Sequence, residues 1–304
     1  MGSVERPVVI ESFPFSYRGD TATTDGGEVH LHVELSAPSI FGAAVTSAHE
    51  ASVGLSLRMS LEPRTCLEDG VSRIERPLPP GAYELTVSGP GTFELEVVTR
   101  EPEPRFIGSM WNTYYIIADE DHFRGPRDTP LFDDDCQPIA KVRRGFYDSL
   151  CIQGSGVLSD KTVVNYKSTC TRRCPRVPMC KRFPVRICYT VLDPAVYPWG
   201  MGKAPRPLVP DWSIAVDPEV IPLDTVVYLE ELDGVTPPGA SEPHDGCVGA
   251  VDTGGGIEGD HIDIFAGTRD RWLAWEKLLP TRTRFKAWID HPRCYRYLLS
   301  PEGG

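Results

Sequence analysis

The sequence has no long hydrophobic run and no excess of basic residues. No apolar stretch approaches the roughly 18 residues that a membrane-spanning helix needs, so no membrane span is predicted. The 304 residues contain 31 Lys and Arg against 43 Asp and Glu, and the first 104 residues contain no Lys at all. Contacts to nucleic acid or to an anionic membrane need clustered Lys and Arg. The charge balance therefore argues against both as partners.

The composition that remains is that of a folded protein rich in turns. Hydrophobic residues make up 40% and charged residues 24%, which is ordinary for a globular chain and excludes wholesale disorder. The 28 Gly and 29 Pro are well above average and indicate many turns between short strands. We therefore predict a mainly β protein that is long enough for two domains.

The first hundred residues alternate between apolar and polar side chains. A period of two places the apolar set on one face of a strand, and it recurs in four runs: 28–37, 53–61, 83–87 and 93–97. The turn Ser88-Gly89-Pro90-Gly91 predicts that the last two runs form a hairpin. We predict an antiparallel β-sandwich over 1–100, a Pro/Glu linker at 101–105 and a second domain over 106–304. The stretch RPLPPGAYELTVSGPGTFELEVV resembles the accessory pre-peptidase C-terminal domains.

Nine cysteines bear on the compartment in which the chain works. Eight of them lie in the second domain, an even number that suits four disulfides in an oxidising compartment: Cys136, Cys151, Cys170, Cys174, Cys180, Cys188, Cys247 and Cys294. The alternative is a zinc site at the four that crowd between 170 and 188, although they lack a CxxC pair and a nearby His. Cys66 is left over, as a buried thiol or as the partner of a cysteine in another chain.

The beginning of the chain conflicts with the cysteines. Met1-Gly2-Ser3 leads directly into Val4 without a signal peptide, whereas the cysteines indicate secretion. We give the cysteines more weight and expect a secreted, periplasmic or cell-envelope protein whose leader has been removed or omitted.

Two aspartates stand in apolar strands on either side of a glycine loop. Asp252 ends the strand CVGAVD, Gly254-Gly255-Gly256 follows, and Asp263 lies within the strand Ile262–Phe265. A carboxyl group in such surroundings, beside a second carboxylate, tends to a raised pKa, as a general acid requires. The alternative is that both aspartates cap turns by accepting backbone hydrogen bonds. The residues alone leave both interpretations open.

The pattern AVDP…IPL…VY…AVDTGGGIEGDHIDIFAG resembles the three-aspartate (3D) domain, the double-psi β-barrel of membrane-bound lytic transglycosylase A and its secreted relatives. The segment IQGSG, residues 152–156, and the segment NTYYI, residues 112–116, are similar to two further motifs of that family. The resemblance spans about 180 residues with the motifs in the same order. It implies a six-stranded double-psi barrel with disulfide-rich insertions and one or two short helices.

The resemblance also implies a reaction. It is the non-hydrolytic cleavage of the MurNAc–GlcNAc bond of peptidoglycan, which leaves a 1,6-anhydro end. Asp263 matches the family's catalytic aspartate and would act first as acid and then as base, with Asp252 orienting it or tuning its pKa. The remaining expected substrate contacts are Asp217, Thr113, Tyr115, Gln153, Gly154, Ser155 and Gly255. Asp217 matches the first family aspartate and is favoured as a determinant of the turn and barrel.

Other positions depart from the family pattern or carry weaker expectations. Asp224 stands where the family has glycine, and we expect it to tolerate a left-handed backbone. Trp199 is expected to anchor its loop rather than stack on a sugar. Glu120 is expected on a solvated face. A helix is predicted near Arg269–Leu279, ended by Pro280.

Two other functions fit the same resemblance. One is a non-catalytic module that binds or loosens wall polysaccharide, as expansin-like barrels do. The other is hydrolysis of a β-1,4-glucan, which needs a second carboxylate to activate water. No metal or organic cofactor is implied, because the sequence has no ligand cluster and no nucleotide-binding loop.

Overall fold

A computed structural model describes residues 8–10, 12–24, 27–47, 53–60, 66–170 and 174–298. The chain divides into two compact units, one within Met1–Arg105 and Trp288–Gly303 and the other within Phe106–Ala287. The domain boundaries at 100 and 106 stay a prediction. Neither α-helix in the described ranges has the length and apolar content of a membrane span.

The first unit is a β-sandwich of two sheets. One sheet has the order β1-β3-β8-β5-β6 and the other β2-β9-β4-β7. The strands are β1 Val8–Ile10, β2 Phe15–Asp20, β3 Glu28–Leu35, β4 Ser39–Ser47, β5 Gly54–Met59, β6 Cys66–Val71, β7 Arg73–Leu78, β8 Gly81–Ser88 and β9 Thr92–Arg100. Their alternating apolar side chains meet in one core that includes Leu31, Phe41, Leu85 and Phe93. The four predicted runs fall on β3, β5, β8 and β9.

The predicted hairpin between β8 and β9 is wrong. The two strands are consecutive but lie in different sheets, β8 between β3 and β5 and β9 between β2 and β4. Gly89 and Gly91 both have positive φ, at 116° and 96°, which lets the chain cross from one sheet to the other. Thr21 accommodates this crossing by donating its hydroxyl to the Gly89 carbonyl. The same glycines that suggest a hairpin turn therefore build an arch.

The second unit contains a closed six-stranded barrel, as predicted, with strand order β10-β20-β17-β19-β18-β21. Beside it lie a four-stranded sheet, β11-β14-β15-β16, and a two-stranded sheet, β12-β13. The elements are β10 Arg105–Ile116, β11 Ala118–Asp119, β12 Arg127–Phe132, β13 Pro138–Arg143, α1 Arg144–Gln153, β14 Ser155–Val157, β15 Val163–Thr169, β16 Ile187–Leu192, β17 Ser213–Ala215, β18 Thr225–Leu229, β19 Cys247–Asp252, β20 His261–Gly267, α2 Arg269–Leu278 and β21 Arg284–Ile289.

Helix α2 confirms the helix predicted near Arg269–Leu279. Thr268 caps its first turn by accepting from the Arg271 N–H, and Trp275 buries its ring. Helix α1 ends at Gln153, and Gly154 follows with a φ of 78°. A left-handed glycine at this position is a common helix terminator.

All eight cysteines of 136–294 are in disulfide form, which confirms the prediction of four disulfides. Three of the bridges connect the helix, strands and loops beside the barrel: Cys136–Cys174, Cys151–Cys180 and Cys170–Cys188. The four cysteines between 170 and 188 are thus all oxidised, and the alternative of a zinc site there is wrong. The side chain of Cys66 lies outside the described residues.

The expectation that Glu120 lies on a solvated face is wrong. Its side chain is 2% exposed and forms ion pairs with Arg127 and Arg143. It also accepts hydrogen bonds from the N–H and the hydroxyl of Ser159. A buried carboxylate is tolerated here because two guanidinium groups and several donors replace its water. Asp224 has a φ of 63°, as expected, and its carboxylate accepts from Arg206.

Candidate active site

Four neighbouring strands of the barrel bring the candidate residues into one row. In the strand register Ala215 of β17 lies opposite both Asp252 of β19 and Asp263 of β20, and Asp263 lies opposite Thr113 of β10. Directly paired residues project from the same face of a sheet. The row therefore reads Asp252, Ala215, Asp263, Thr113. With strands about 4.8 Å apart, the two aspartate Cα atoms are about 10 Å apart, separated only by a methyl group.

Asp263 is a part-buried carboxyl group with one polar contact to a side chain. Its Oδ1 accepts a hydrogen bond of 2.7 Å from the Thr113 hydroxyl. Burial raises the pKa of Asp263 to about 7, the Thr113 hydrogen bond opposes this, and the negative charge of Asp252 adds to it. A carboxyl group with such a pKa is still largely protonated just below neutral pH. It can therefore give up a proton and take one back near neutrality.

Asp252 is held more firmly. Its Oδ1 accepts from the backbone N–H groups of Thr253 at 2.9 Å and Lys203 at 3.0 Å, and its Oδ2 accepts from the Tyr115 hydroxyl at 3.2 Å. Burial raises the pKa of Asp252 to about 6, while these three donors oppose the rise. Asp252 therefore ionises before Asp263 as the pH rises. Its charge then favours the protonated form of Asp263.

Tyr115 is buried between the two carboxylates and the barrel core. Its ring packs against Phe265, with the ring centroids 4.9 Å apart. Burial, followed by the charges of Asp252 and Asp263, raises the pKa of Tyr115 well above its ordinary value. The phenol therefore stays protonated and serves as a donor to Asp252. Thr113 and Tyr115 are predicted site residues, and both contact the aspartates.

Asp217 supports the glycine loop rather than the carboxylate row. Its Oδ1 accepts from the Glu219 N–H and its Oδ2 from the Gly259 N–H at 2.8 Å, and these bonds lower its pKa. The aspartate thus ties the turn after β17 to the loop before β20. Gly255 lies exposed in that loop, and a Cβ placed there would contact nothing within 4 Å. The loop has open space above it.

The segment Gln153–Ser155 has other contacts within the protein. The side-chain carbonyl of Gln153 accepts from the Ile116 N–H at 2.9 Å, at the end of β10. Ser155 is buried and donates to Asn165, whose amide oxygen also accepts from the Met201 N–H. Gly154 ends helix α1. These contacts position the loop 193–210 and strand β10, and binding of substrate by these three residues stays a prediction.

The loop 193–210 reaches the site through its backbone. Gly202 lies so close to the Val251 carbonyl that a Cβ would sit 2.3 Å from that oxygen. This close approach places the Lys203 N–H within hydrogen-bond distance of the Asp252 carboxylate. Trp199 packs edge-on against Phe265, with ring centroids 6.4 Å apart, as expected for a residue that anchors the loop.

Sequence reasoning missed two members of the site. His261 is buried, and its Nε2 lies 2.9 Å from the Thr113 hydroxyl. The signal was available, because residues two apart on a strand share a face and His261 precedes Asp263 by two. The backbone N–H of Lys203 had no such signal, since a loop contact leaves no period in the sequence. Within the described ranges, no group of three or more His, Cys, Asp or Glu is arranged to hold a metal ion.

Residues 212–275 match the family model of the 3D domain. This part of the chain is a 3D domain. It contains the three aspartates and Ala215, and Thr113 and Tyr115 join it from strand β10. No curated protein matches the chain.

Solved structures are similar to parts of this chain at low identity and low TM-score. MltA of E. coli with bound chitohexaose is 16% identical over 60% of this chain and 71% of its own, with a TM-score of 0.41. The lytic transglycosylase LtgG of Burkholderia pseudomallei is 20% identical over 60% and 71%, with a TM-score of 0.34. The pre-peptidase C-terminal domain of a Bacillus anthracis collagenase is 17% identical over 32% of this chain and 99% of its own, with a TM-score of 0.25. The last similarity is weak.

Proposed function

We propose that this protein is a peptidoglycan lytic transglycosylase, a carbon–oxygen lyase that cleaves the β-1,4 bond between MurNAc and GlcNAc. The observation that carries the proposal is Asp263, a carboxyl group in a 3D domain, beside an open glycine loop, with a pKa raised to about 7. One such group can serve as both acid and base, and the proposed reaction needs no second nucleophile.

In the first step Asp263 donates its proton to the glycosidic oxygen as the bond from that oxygen to C1 of the muramoyl residue breaks. The leaving sugar departs as an alcohol, and positive charge develops at C1. The ionised Asp252 lies one strand beyond Ala215 and favours this charge electrostatically. Burial of Asp263 supports the step, because it keeps the carboxyl group protonated closer to neutral pH, so that a proton is available for the glycosidic oxygen.

In the second step the C6 hydroxyl of the same muramoyl residue attacks C1. Asp263, now a carboxylate, takes the hydroxyl proton, and a 1,6-anhydro ring closes. Asp263 returns to its starting state, and no water is consumed. This use of one carboxyl group differs from ordinary glycosidases, in which a second carboxylate acts as nucleophile or activates water.

Asp252 is a positioning residue in this proposal. Its carboxylate receives three donors from Thr253, Lys203 and Tyr115, so it ionises first and keeps Asp263 protonated to a higher pH. Asp217 supports the glycine loop, above which the glycan strand would lie near Gly255. We assign the β-sandwich an accessory role. The disulfides suit an oxidising compartment, such as the periplasm or the cell exterior.

The test is digestion of peptidoglycan with the disulfide-intact protein, followed by mass spectrometry of the soluble products. We expect anhydro-muropeptides from the wild-type protein and none from Asp263→Asn. If neither protein releases products from several types of peptidoglycan, the proposal is wrong. Cosedimentation with insoluble wall that survives Asp263→Asn would then indicate a binding module, and reducing ends released from a β-1,4-glucan would indicate a hydrolase.

A further inference from the structure

A chain of hydrogen bonds runs from His261 through Thr113 to Asp263, and the hydrogens available to these bonds can be counted. The Thr113 oxygen lies 2.9 Å from His261 Nε2 and 2.7 Å from Asp263 Oδ1. At the far end of the chain, His261 Nδ1 lies 3.1 Å from the carbonyl oxygen of Gly256. A carbonyl oxygen can only accept, so Nδ1 carries a hydrogen. In a neutral imidazole Nε2 is then an acceptor.

Thr113 has one hydroxyl hydrogen, and two neighbouring atoms can accept it: His261 Nε2 and Asp263 Oδ1. If neutral His261 takes that hydrogen at Nε2, the 2.7 Å contact to Asp263 needs a hydrogen from the aspartic acid itself. If Asp263 is a carboxylate, it takes the hydrogen of Thr113, and Nε2 must carry its own. A carboxylate together with a neutral histidine leaves one contact without a hydrogen, which is costly in a buried site.

We propose that His261 is a positioning residue that acts through Thr113 and binds a proton in alternation with Asp263. While the aspartic acid is protonated, His261 accepts from Thr113. When the aspartic acid gives up its proton, the threonine hydroxyl turns to the carboxylate and the imidazole gains affinity for a proton. The neutral imidazole competes for the hydroxyl that stabilises the carboxylate, and it thereby helps to keep Asp263 protonated.

The surroundings of His261 hold the ring in one orientation. The Trp111 indole stacks on it with ring centroids 3.7 Å apart and an angle of 7° between the planes. The same indole donates to Asp260, which is paired with Arg284, and Arg282 lies over the indole at 5.9 Å. Burial lowers the pKa of His261, while the Gly256 carbonyl and Asp260 oppose this. The titratable groups that face the chain of bonds are thus Asp260 from the glycine loop and, on the side of Asp263, Asp252 and Tyr115.

The hydrogen count can be measured without catalysis, by ¹⁵N NMR of the imidazoles between pH 4 and 9, with His261→Gln to assign the signal. We expect neutral His261 to carry its hydrogen on Nδ1 and its titration to show a second inflection where Asp263 ionises. Thr113→Ser keeps the hydroxyl and should keep that inflection, whereas Thr113→Val should abolish it. An Nε2–H tautomer, or identical curves for Thr113→Val and wild type, would overturn the inference.

A second readout rests on the proposed function, because it takes Asp263 as the acid of the reaction. His261→Phe keeps a ring on Trp111 but accepts no hydrogen bond, so Thr113 donates permanently to the carboxylate. We expect the alkaline limb of kcat/KM to move down by about one pH unit. His261→Gln can accept through its amide oxygen and should restore the limb. An unmoved limb in His261→Phe would contradict the inference. Absence of activity with the expected NMR curves would refute the function alone.

Discussion

The two units of the chain bury different kinds of side chain. In the described part of the sandwich the buried polar residues are Thr21, Ser56 and Thr86, all hydroxyls of the size of a small apolar group. The barrel unit buries a carboxylate, an imidazole and two amides: Glu120, His261, Asn112 and Asn165. It also holds two part-buried aspartates with raised pKa values.

The barrel unit buries carboxyl and imidazole groups, whereas the described part of the sandwich buries neither. Each polar group that leaves water costs free energy unless it finds partners. The described part of the sandwich incurs little of this cost, because its buried polar residues carry only hydroxyl groups. The barrel unit incurs this cost. Around Asp263 the buried polar groups are not all hydrogen-bonded, because Thr113 has one hydroxyl hydrogen for two acceptors, His261 and Asp263. Incompletely compensated groups are typical of reactive sites. The comparison therefore supports our proposal that the chemistry takes place in the barrel, and four experiments can test that proposal.

The largest effect is expected on the reaction itself. Asp263→Asn removes the acid and base, and we expect the rate of anhydro-product release to fall by about 10² to 10⁴-fold, the usual contribution of such a group. Asp252→Asn should lower the rate less and move the alkaline limb of the pH profile to lower pH, since the charge that keeps Asp263 protonated is gone. Initial rates of product release across pH measure both. Equal losses in the two variants, with unchanged profiles, would contradict the assigned roles.

A cavity in the sandwich should affect stability alone. Leu85 is fully buried in the core shared by the two sheets, and Leu85→Ala should cost about 2 to 5 kcal/mol of unfolding free energy. Val98, which is 50% exposed, provides the matched control, and Val98→Ala should cost less than about 0.5 kcal/mol. Denaturant unfolding gives both values. The rate per folded molecule should stay unchanged, and a lower rate in folded Leu85→Ala would contradict a purely accessory role.

A disulfide beside the barrel should contribute less. Cys151 and Cys180 are 29 residues apart and connect helix α1 to the loop before β16. Replacing both with Ala should cost about 2 to 4 kcal/mol, chiefly because the unfolded chain gains freedom. Thermal unfolding of the double variant measures this, with reduced wild type as the control. A cost near zero would indicate that the other contacts of helix α1 keep it in place without the Cys151–Cys180 disulfide.

The smallest effect is expected on the pH dependence of the free energy of unfolding. The folded protein holds protons on Asp252 and Asp263 up to about pH 6 and 7, whereas an unfolded aspartate releases its proton near pH 4. The native state therefore binds more protons in this window, and its stability falls as the pH rises through it.

Asp263→Asn removes the part of this loss that comes from Asp263, so at pH 8 it should be more stable than wild type by about 1 to 3 kcal/mol, and near pH 4 about equally stable. Melting curves of the two proteins at both pH values provide the check. A variant that is less stable than wild type at pH 8 would show that the carboxylate is well solvated or well paired.

The comparison also explains which features the sequence could reveal. Alternation identified β3, β5, β8 and β9, because each has one face on the core and one in solvent. It could not assign β8 and β9 to sheets, since the glycines of 88–91 serve a hairpin or an arch equally well. In the barrel the motifs located Asp252, Asp263, Thr113 and Tyr115.

Glu120 was misjudged because composition alone favours solvent for a glutamate on an acidic chain. Its partners, Arg127 and Arg143, come from strands β12 and β13, and no pattern in the sequence around Glu120 indicates these ion pairs. The backbone contact of Lys203 to Asp252 depends in the same way on how a long loop returns to the barrel. Contacts between distant segments are decided by the fold, whereas periodicity reports only which face of an element is buried.

We propose that Asp263 cleaves the glycosidic bond without water, and the fate of solvent oxygen tests this proposal. Peptidoglycan is digested in H₂¹⁸O, and the new muramoyl ends are examined by mass spectrometry. We expect ends that contain no ¹⁸O and are lighter than the hydrolysed products by one water. Muramoyl reducing ends that carry ¹⁸O would contradict the claim and show that the barrel activates water.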